Sequence, residues 1–295
     1  MRFDRKARRK TFSLAMTVLS GIAILIIFVP LAAVIYEAAD LGGADLSVGF
    51  FTQPLPLPCT PHLGVTCPKG GIAPAIQGTL ILVGLASLLA VPLGVAAAIF
   101  AVEYGGERRL ARIIGLVADV MSGVPSIVVG VFIYSVVLFY DPTIVYSTVS
   151  GSLALAVIMT PIVTRTSEEA LRTVPNSVRE AALALGISRW KTSLRIVLVT
   201  ALPGVLTGIL LAVARAAGEA APLLLTDSGS FRGFLGFNQQ VANLPIVIFE
   251  FAASPYQNWI ALAWGAALVL IIMILAINIL SRWVLDRMAR RMGGE

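Results

Sequence analysis

Long apolar runs recur along this chain and constrain its fold more than any other feature. The six runs cover residues 13–36, 75–102, 122–140, 146–164, 203–225 and 258–281. About 20 apolar residues in a helix cross the hydrocarbon core of a bilayer, which is about 30 Å thick. Lipid offers the backbone no hydrogen-bond partners, so segments that cross it must be helical. The pattern predicts an all-α membrane protein with six transmembrane helices.

The composition agrees with a membrane protein and argues against a soluble one. Hydrophobic residues make up 58% of the 295 residues and charged residues only 13%, whereas soluble domains are about 25% charged. The net charge of +6 could be read as a preference for nucleic acid. However, the basic residues cluster beside the apolar runs, as membrane topology requires. We therefore expect a multi-pass protein of the cell membrane and no nucleic-acid partner.

Basic residues are in excess in every second segment outside the apolar runs. Arginine and lysine dominate the N-terminus, segments 103–121 and 165–202, and the C-terminal tail, whereas 37–74 and 226–257 carry more acid than base. The positive-inside rule then places both termini in the cytoplasm. A cleaved signal peptide is the alternative for the first run, which is however longer than the usual ~7–15 apolar residues.

These assignments divide the chain into four parts. They are a basic cytoplasmic N-terminus with the first helix (1–36), an extracytoplasmic loop (37–74), a transmembrane core (75–285) that contains a cytoplasmic loop (165–202), and a cytoplasmic tail (286–295).

Two opposite charges lie inside the fifth apolar run. Arg215 falls near the middle of the stretch from Pro203 to Leu225, and Glu219 follows four residues later. A charge at mid-membrane depth costs at least ~2.5–3.5 kcal/mol. In a continuous helix the i,i+4 spacing places both side chains on one face, within reach of each other. The pair indicates either a functional site in the membrane or a structural ion pair that locks this helix against a neighbour.

The loop 165–202 is too polar to span a membrane but has helical signals of its own. Ser177 followed by Glu180 resembles a capping box, which predicts a short helix over 178–185. Gly186 is a suitable residue for the positive φ that often ends a helix. A second short helix is predicted to begin near Arg189. A loop of this length with its own helix caps is more often functional than a plain connection.

The residue order in this loop resembles the EAA motif of the permease subunits of ABC importers. The motif consists of Glu180, Ala181, Ala182 and Gly186, with Ile196 ten residues after the glycine. In that family the loop forms a coupling helix that docks into a groove of the ATP-hydrolysing subunit. The small side chains of Ala181 and Ala182 would let such a surface approach closely. The sequence departs from the family pattern after Ile196, where Val199 replaces the expected proline.

Four other segments resemble the permeases of phosphate importers. They are 121–130, 165–175, 214–226 and 261–270. The pattern Arg-Ala-x-Gly-Glu-x-x-Pro, which begins at Arg215, is shared with permeases for sulfate and molybdate. The resemblance implies the fold of a type I ABC importer permease and a role in ATP-driven import of phosphate or another tetrahedral oxyanion. An ion-coupled secondary transporter is the alternative, although we find no convincing inverted repeat.

The resemblance also implies roles for the charged pair and a set of partners. Arg215, whose planar fork matches oxyanion geometry, would meet the substrate, and Glu219 would neutralise it when the site is empty. The partners would be a second homologous permease, a dimer of ATPase subunits and an extracytoplasmic phosphate-binding protein. ATP and Mg²⁺ would bind to the ATPase, because this chain has no G-x-x-x-x-G-K-[ST] phosphate loop. We therefore expect a permease subunit that is not itself an enzyme and needs no cofactor.

Three further residues are weaker candidates. Asp119 precedes the third run and could contribute to a cytoplasmic gate or lie at the membrane interface. Cys59 and Cys67 lie in one Pro-rich loop and would form a disulfide in an oxidising compartment, or remain free thiols. The single histidine, His62, offers no basis for a metal site.

Overall fold

The computed structural model describes residues 2–43, 46–59, 67, 70–105 and 109–292, and every regular element within them is helical. The α-helices are α1 (Arg2–Gly43), α2 (Val48–Thr52), α3 (Ala73–Ile99), α4 (Arg109–Gly123), α5 (Ser126–Tyr140), α6 (Thr148–Arg172), α7 (Asn176–Ala184), α8 (Arg189–Lys191), α9 (Leu198–Ala217), α10 (Ala221–Thr226), α11 (Leu244–Ala252) and α12 (Gln257–Met292). Two stretches of π-helix, Phe100–Tyr104 and Thr192–Val197, continue α3 and precede α9, and Pro142–Ile144 forms a 3₁₀ turn. The predicted all-α fold is confirmed.

Five described helical stretches are long and apolar enough to cross a membrane. They lie in α1, in α3 with its π-helical end, in α6, in the run from α8 to α9, and in α12. A sixth span exists only if α4 and α5 are counted together, and the chain bends by 108° between these helices. The third predicted span, 122–140, therefore corresponds to α5 and the bend before it. Pro125 explains the bend, because proline drives the preceding residue, Val124, away from helical backbone angles.

The fifth predicted span, 203–225, is not one helix. α9 begins earlier, at Leu198, and ends at Ala217, and α10 starts only at Ala221. Pro222 explains the break, because it cannot donate to the carbonyl of Gly218 four residues before it and its ring would collide with that carbonyl. The last turn of α9 tightens instead, with the Gly218 amide donating to the Arg215 carbonyl at 3.1 Å.

The centre of the bundle is the contact between α3 and α6, which is the most extensive between any two elements. α9 packs on α6 through Gly204 and Gly208, which form a G-x-x-x-G pattern facing Ala170 and Thr166. A Cβ atom at position 204 would lie 2.8 Å from the Ala170 Cβ, so only glycine permits this approach. Small residues at such contacts are typical of helix packing in membranes. They fix α9, and hence Arg215, against α6.

The first helix contributes little to the core of this chain. The predicted span 13–36 lies within α1, whose side chains are exposed along most of its length. Only its C-terminal end is packed, where Ala38 is buried and Gly42 lies against the backbone of Trp264 in α12. The loop that follows carries Cys59 and Cys67, which are joined by a disulfide with a Cα–Cα distance of 5.6 Å.

Candidate functional site

A cavity of about 310 Å³ lies between the α4–α5 bend, α6 and α9. Its walls are mainly apolar, with Phe132 from α5 and Ile158 and Ile162 from α6 among them. Ser122 and Ser126, on either side of the bend, contribute its hydroxyl groups, and Arg215 is the charged residue in its wall. A cation bordered by apolar groups exerts a stronger field than one surrounded by water. The cavity can therefore attract an anion to one defined place.

Arg215 has few stabilising contacts with other charged groups in the described part of this chain. It lies in the last turn of α9, where the partial negative charge of the helix end favours a cation. Its side chain is 59% exposed, and its Nε lies 3.4 Å from Oε1 of Glu219. This distance exceeds the ~2.7–2.9 Å of a charge-assisted hydrogen bond. Among the described residues this is the only ion pair of Arg215, so most of its donors remain available.

Glu219 contacts Arg215 as predicted, but the backbone between the two residues is not the continuous helix that the sequence predicted. The sequence placed both residues on one face of a continuous helix. In the structure Glu219 lies in the break between α9 and α10, with its amide bonded to the Ala216 carbonyl at 3.2 Å. Its side chain is 17% exposed. The predicted contact is present, but the break of the helix, and not a regular i,i+4 face, produces it.

Asp119 is paired with a residue that the sequence analysis treated only as a topological charge. Arg165 of α6 donates from Nε to Oδ1 of Asp119 at 2.7 Å and from Nη2 to Oδ2. The same guanidinium bonds to Glu168 and to the Gly115 carbonyl, each at 2.8 Å. Asp119 and Arg165 thus tie α4 to α6 one turn before Ser122, at the edge of the cavity.

The loop 165–202 contains the two predicted helices, α7 and α8. α7 begins at Asn176 with Pro175 as its N-cap, so Ser177 lies inside the helix and the predicted capping box is wrong. The helix ends at Ala184, and Gly186, just after its C-cap Leu185, has the predicted positive φ, +76°. The Gly186 amide bonds to the Leu183 carbonyl and the Ile187 amide to the Ala182 carbonyl, which together form a Schellman motif.

The motif residues of α7 point in two directions. Glu180 and Ala181 are exposed, and Glu180 has no ion pair within the described residues. Ala182 is buried against this chain, so the prediction that it faces an approaching surface is wrong. The exposed side of α7 is therefore formed by Glu180 and Ala181, with Leu185 beyond them at 80% exposure.

A buried ion pair that the sequence analysis missed lies beneath α7. Arg179 Nη2 is 2.8 Å from Oε1 of Glu103, and both side chains are largely buried. Their separation of 76 residues gave no local signal. The pattern that could have found them is an acidic residue at the end of one apolar run facing a loop rich in arginine.

Asp227, which directly follows α10, is fully buried. It accepts hydrogen bonds from the Val241 amide at 3.1 Å and from Nδ2 of Asn243 at 2.9 Å. Burial raises the pKa of this carboxyl to about 7. No group of three or more His, Cys, Asp or Glu side chains suited to a metal ion occurs in the described part of the chain.

The bent and broken spans around this cavity define a polytopic membrane protein with a charged site between its helices. The family of binding-protein-dependent transport system inner membrane components matches residues 90–294. The chain belongs to this family. It is 39% identical to the phosphate transport system permease protein PstA of Haemophilus influenzae, over 93% of this chain and 94% of that protein. It is 43% identical to PstA of Xylella fastidiosa, over 74% of this chain and 76% of that protein.

The solved structures extend the likeness to the fold. A chain of the bacterial alginate ABC transporter, crystallised in complex with an alginate-bound periplasmic protein, superposes with a TM-score of 0.63. The match covers 100% of this chain and 99% of that one at 14% sequence identity. The fold is that of a type I ABC importer permease, and the protein is a multi-pass component of the inner membrane.

Proposed function

We propose that this chain is the transmembrane permease subunit of an ATP-driven importer of inorganic phosphate and forms half of its translocation pathway. The support for phosphate is the identity of about 40% to the PstA permeases over most of the chain. The sequence has no G-x-x-x-x-G-K-[ST] phosphate loop. ATP hydrolysis with Mg²⁺ therefore belongs to a separate ATPase subunit, and this chain is not itself an enzyme.

One observation carries the assignment of the substrate pathway to Arg215. It is the charged residue in the wall of the cavity, and its ion pair with Glu219 is long. A tetrahedral oxyanion can accept two parallel hydrogen bonds from the guanidinium group, which offsets the loss of its hydration. Glu219 neutralises Arg215 when no anion is bound and lowers the affinity of Arg215 for the anion. Conduction requires binding that is weak enough to permit release.

α7 is the coupling helix in this proposal. Glu180 and Ala181 form its exposed face, and Gly186 ends it in the left-handed conformation that a residue with a Cβ rarely adopts. The ATPase subunit docks on this face. Ala182, on the opposite side, keeps α7 close to its own chain.

The remaining partners follow from the topology. Both termini and the 165–202 loop lie in the cytoplasm, and the 37–74 loop lies outside, where an oxidising environment permits the Cys59–Cys67 disulfide. A second, homologous permease covers the open side of Arg215, and an extracytoplasmic phosphate-binding protein delivers the substrate. Asp119, held by Arg165, sits at the cytoplasmic edge of the cavity as a gate residue.

Sulfate or molybdate is the second candidate substrate. An arginine in an apolar wall recognises the charge and shape that the tetrahedral oxyanions share, and the cavity offers only two further hydroxyl groups to tell them apart.

Transport by the purified complex in vesicles tests the pathway. The complex contains this chain, its second permease, the ATPase dimer and the binding protein. We expect ATP-dependent phosphate uptake that excess sulfate or molybdate does not inhibit. Arg215→Gln is expected to abolish uptake and to leave the complex assembled. Arg112→Gln makes the same chemical change at an exposed arginine of α4 and should transport normally. Normal uptake by Arg215→Gln would remove Arg215 from the pathway.

Copurification of the ATPase tests the coupling assignment. Ala181→Arg places a large charged side chain on the exposed face of α7 and should release the ATPase subunit. Ala253→Arg, at an exposed alanine after α11, is the matched control. Retention of the ATPase by Ala181→Arg would mean that the subunit docks elsewhere.

A further inference from the structure

Three elements of the 165–202 loop converge on one acidic residue at the end of α3. Glu103 lies in the π-helical turn that continues α3 and is 7% exposed. Arg179 of α7 bonds to its carboxylate from Nε at 2.9 Å. Arg189 of α8 donates to its backbone carbonyl at 2.7 Å, and Ser193 lies 3.5 Å from the second carboxylate oxygen. The side chain and the backbone of Glu103 are thus both held.

Arg179 also bonds to a second transmembrane helix. Its Nη2 donates to the Leu171 carbonyl at 2.9 Å, and its Nη1 donates to the Val174 carbonyl. Leu171 lies in the last turn of α6, where carbonyl groups lack partners within the helix, and Val174 lies two residues beyond its end. One buried guanidinium therefore joins α7 to the ends of α3 and α6.

The backbone at this point is unusual on both sides of the contact. Both π-helical stretches of the described chain meet here, because Glu103 lies in one and Ser193 in the other. π-Helical turns occur frequently at functional sites. Arg189 also lies over the ring of Tyr104, at 5.6 Å from its centroid.

From this geometry we infer that Glu103 and Arg179 are positioning residues that transmit displacement of α7 to the transport cavity. The inference deepens the proposed function, since it takes α7 as the coupling helix. The route is short: α3 packs along α6, and α6 supplies Val157, Ile158 and Ile162 to the cavity wall. An ATP-driven movement of α7 pulls on both helices through Arg179, and the cavity opens or closes with them.

Stability alone does not explain the pair. A buried ion pair often contributes no more to stability than well-packed apolar residues of the same size. Its hydrogen bonds instead fix the position and orientation of α7 relative to the ends of α3 and α6. Loss of that constraint lets α7 move without α6, so ATP hydrolysis continues while transport falls.

The test is the number of ATP molecules hydrolysed per phosphate ion transported, measured with the assembled complex in vesicles. The variants are Glu103→Gln, Arg179→Lys and the double variant Glu103→Gln/Arg179→Gln. We expect each to retain the ATPase subunit and to raise this ratio about fivefold or more, the lower end of coupling between distant sites. Arg172→Gln is the control, because it breaks the ion pair between the exposed Arg172 and Glu168 on the neighbouring end of α6 and leaves Glu168 paired with Arg165. Its ratio should stay at the wild-type value.

Two results would overturn the inference. One is a parallel fall of ATP hydrolysis and transport at an unchanged ratio in the assembled variants. The other is loss of assembly in all three variants, which would assign the pair to stability alone. Failure of the proposed function gives a different result, since wild-type complex would then transport no phosphate or variants on the face of α7 would keep their ATPase. A complex that transports another oxyanion allows the same ratio to be measured with that ion.

Discussion

Two of the arginine–glutamate pairs of this chain, Arg179–Glu103 and Arg215–Glu219, differ in almost every physical respect. Arg179 and Glu103 have side chains 17% and 6% exposed and lie 2.8 Å apart. Arg215 is 59% exposed and lies 3.4 Å from Glu219. Arg179 also bonds to two backbone carbonyls, whereas the ion pair is the single described contact of the Arg215 charge. The first pair uses its donors to hold helices together, and the second leaves them free for a ligand.

The difference shows how the same two residue types can serve force transmission or substrate binding. A guanidinium whose donors are all satisfied has nothing left to offer an ion, but it resists displacement. A guanidinium with one long contact offers several donors and adds little rigidity. The number of bonds already made thus separates the roles more clearly than the residue types do.

Replacing the glutamate of each pair by alanine should give the largest difference between the two pairs, measured as loss of stability. Glu103→Ala leaves Arg179 charged, buried and unpaired, which should destabilise the complex by about 3–5 kcal/mol. Glu219→Ala leaves Arg215 half exposed and should cost no more than about 1 kcal/mol. Thermal unfolding of both variants in detergent measures the difference. Equal losses of stability would show that burial does not distinguish the two pairs.

Replacing the arginine of the exposed pair by lysine should affect transport and spare assembly. Arg215→Lys keeps the charge but loses the planar fork, so one of two hydrogen bonds to the oxyanion is lost. A bond to a charged group contributes about 1.5–3 kcal/mol, so kcat/KM for uptake should fall about tenfold or more. Arg112→Lys should leave kcat/KM unchanged. Wild-type uptake by Arg215→Lys would mean that charge alone suffices.

Another buried carboxyl, that of Asp227, has no ion pair among the described residues and extends the comparison to pH. Burial raises the pKa of Asp227 to about 7, whereas Asp in an unfolded chain titrates near ~3.9. Between these values the folded state holds a proton that the unfolded state has released. Stability should therefore fall as the pH rises through this window and level off above about 7. We expect the melting temperature of the complex to drop by several degrees.

Asp227→Asn should remove this dependence. Its amide nitrogen replaces an acceptor beside Nδ2 of Asn243, so the variant should be less stable at acid pH by about 1–3 kcal/mol. Its melting temperature should vary less between pH 5 and 8 than that of the wild type. An unchanged slope would assign the pH dependence to other groups, such as Glu250, whose pKa burial also raises.

The smallest effect is expected from neutralising the acid of the exposed pair. Glu219→Gln frees Arg215 from its counter-charge, so the oxyanion should bind more tightly and leave more slowly. Both KM and kcat for uptake should fall by up to about fivefold, in keeping with an exposed pair worth ~0.2–1 kcal/mol. A rise in KM would contradict the neutralising role. Glu180→Gln is unsuitable as a control because it alters α7, so Glu250→Gln serves instead.

Much of the architecture was accessible from sequence because it depends on local properties. Apolar length located the spans, and a glycine after a short helical pattern located the end of α7. Prediction failed at two prolines that interrupt apolar runs. Pro222 divides the fifth span and Pro125 bends the third, and in both cases the surrounding apolar residues concealed the break.

The contacts between distant charges could not be predicted in the same way. Asp119 and Arg165 are 46 residues apart, and Glu103 and Arg179 are 76 apart. Each residue alone fits a charge at a membrane boundary. Only the packing of α4 and α3 on α6 decides which charges meet.

The motifs of the sequence carried its resemblance to the permeases. The sequence by itself determined that this chain spans a membrane, with a charged pair in its fifth apolar run and a loop with helical signals after its fourth. Those features follow from the energy of polar groups in lipid and from local helix signals, which one chain segment carries alone. The tertiary structure decided that Arg215 stands at a helix break beside a cavity, and that Arg179 is enclosed between two helix ends. The reason is that burial and the number of hydrogen-bond partners depend on neighbours brought together by packing, and these give two similar ion pairs different roles.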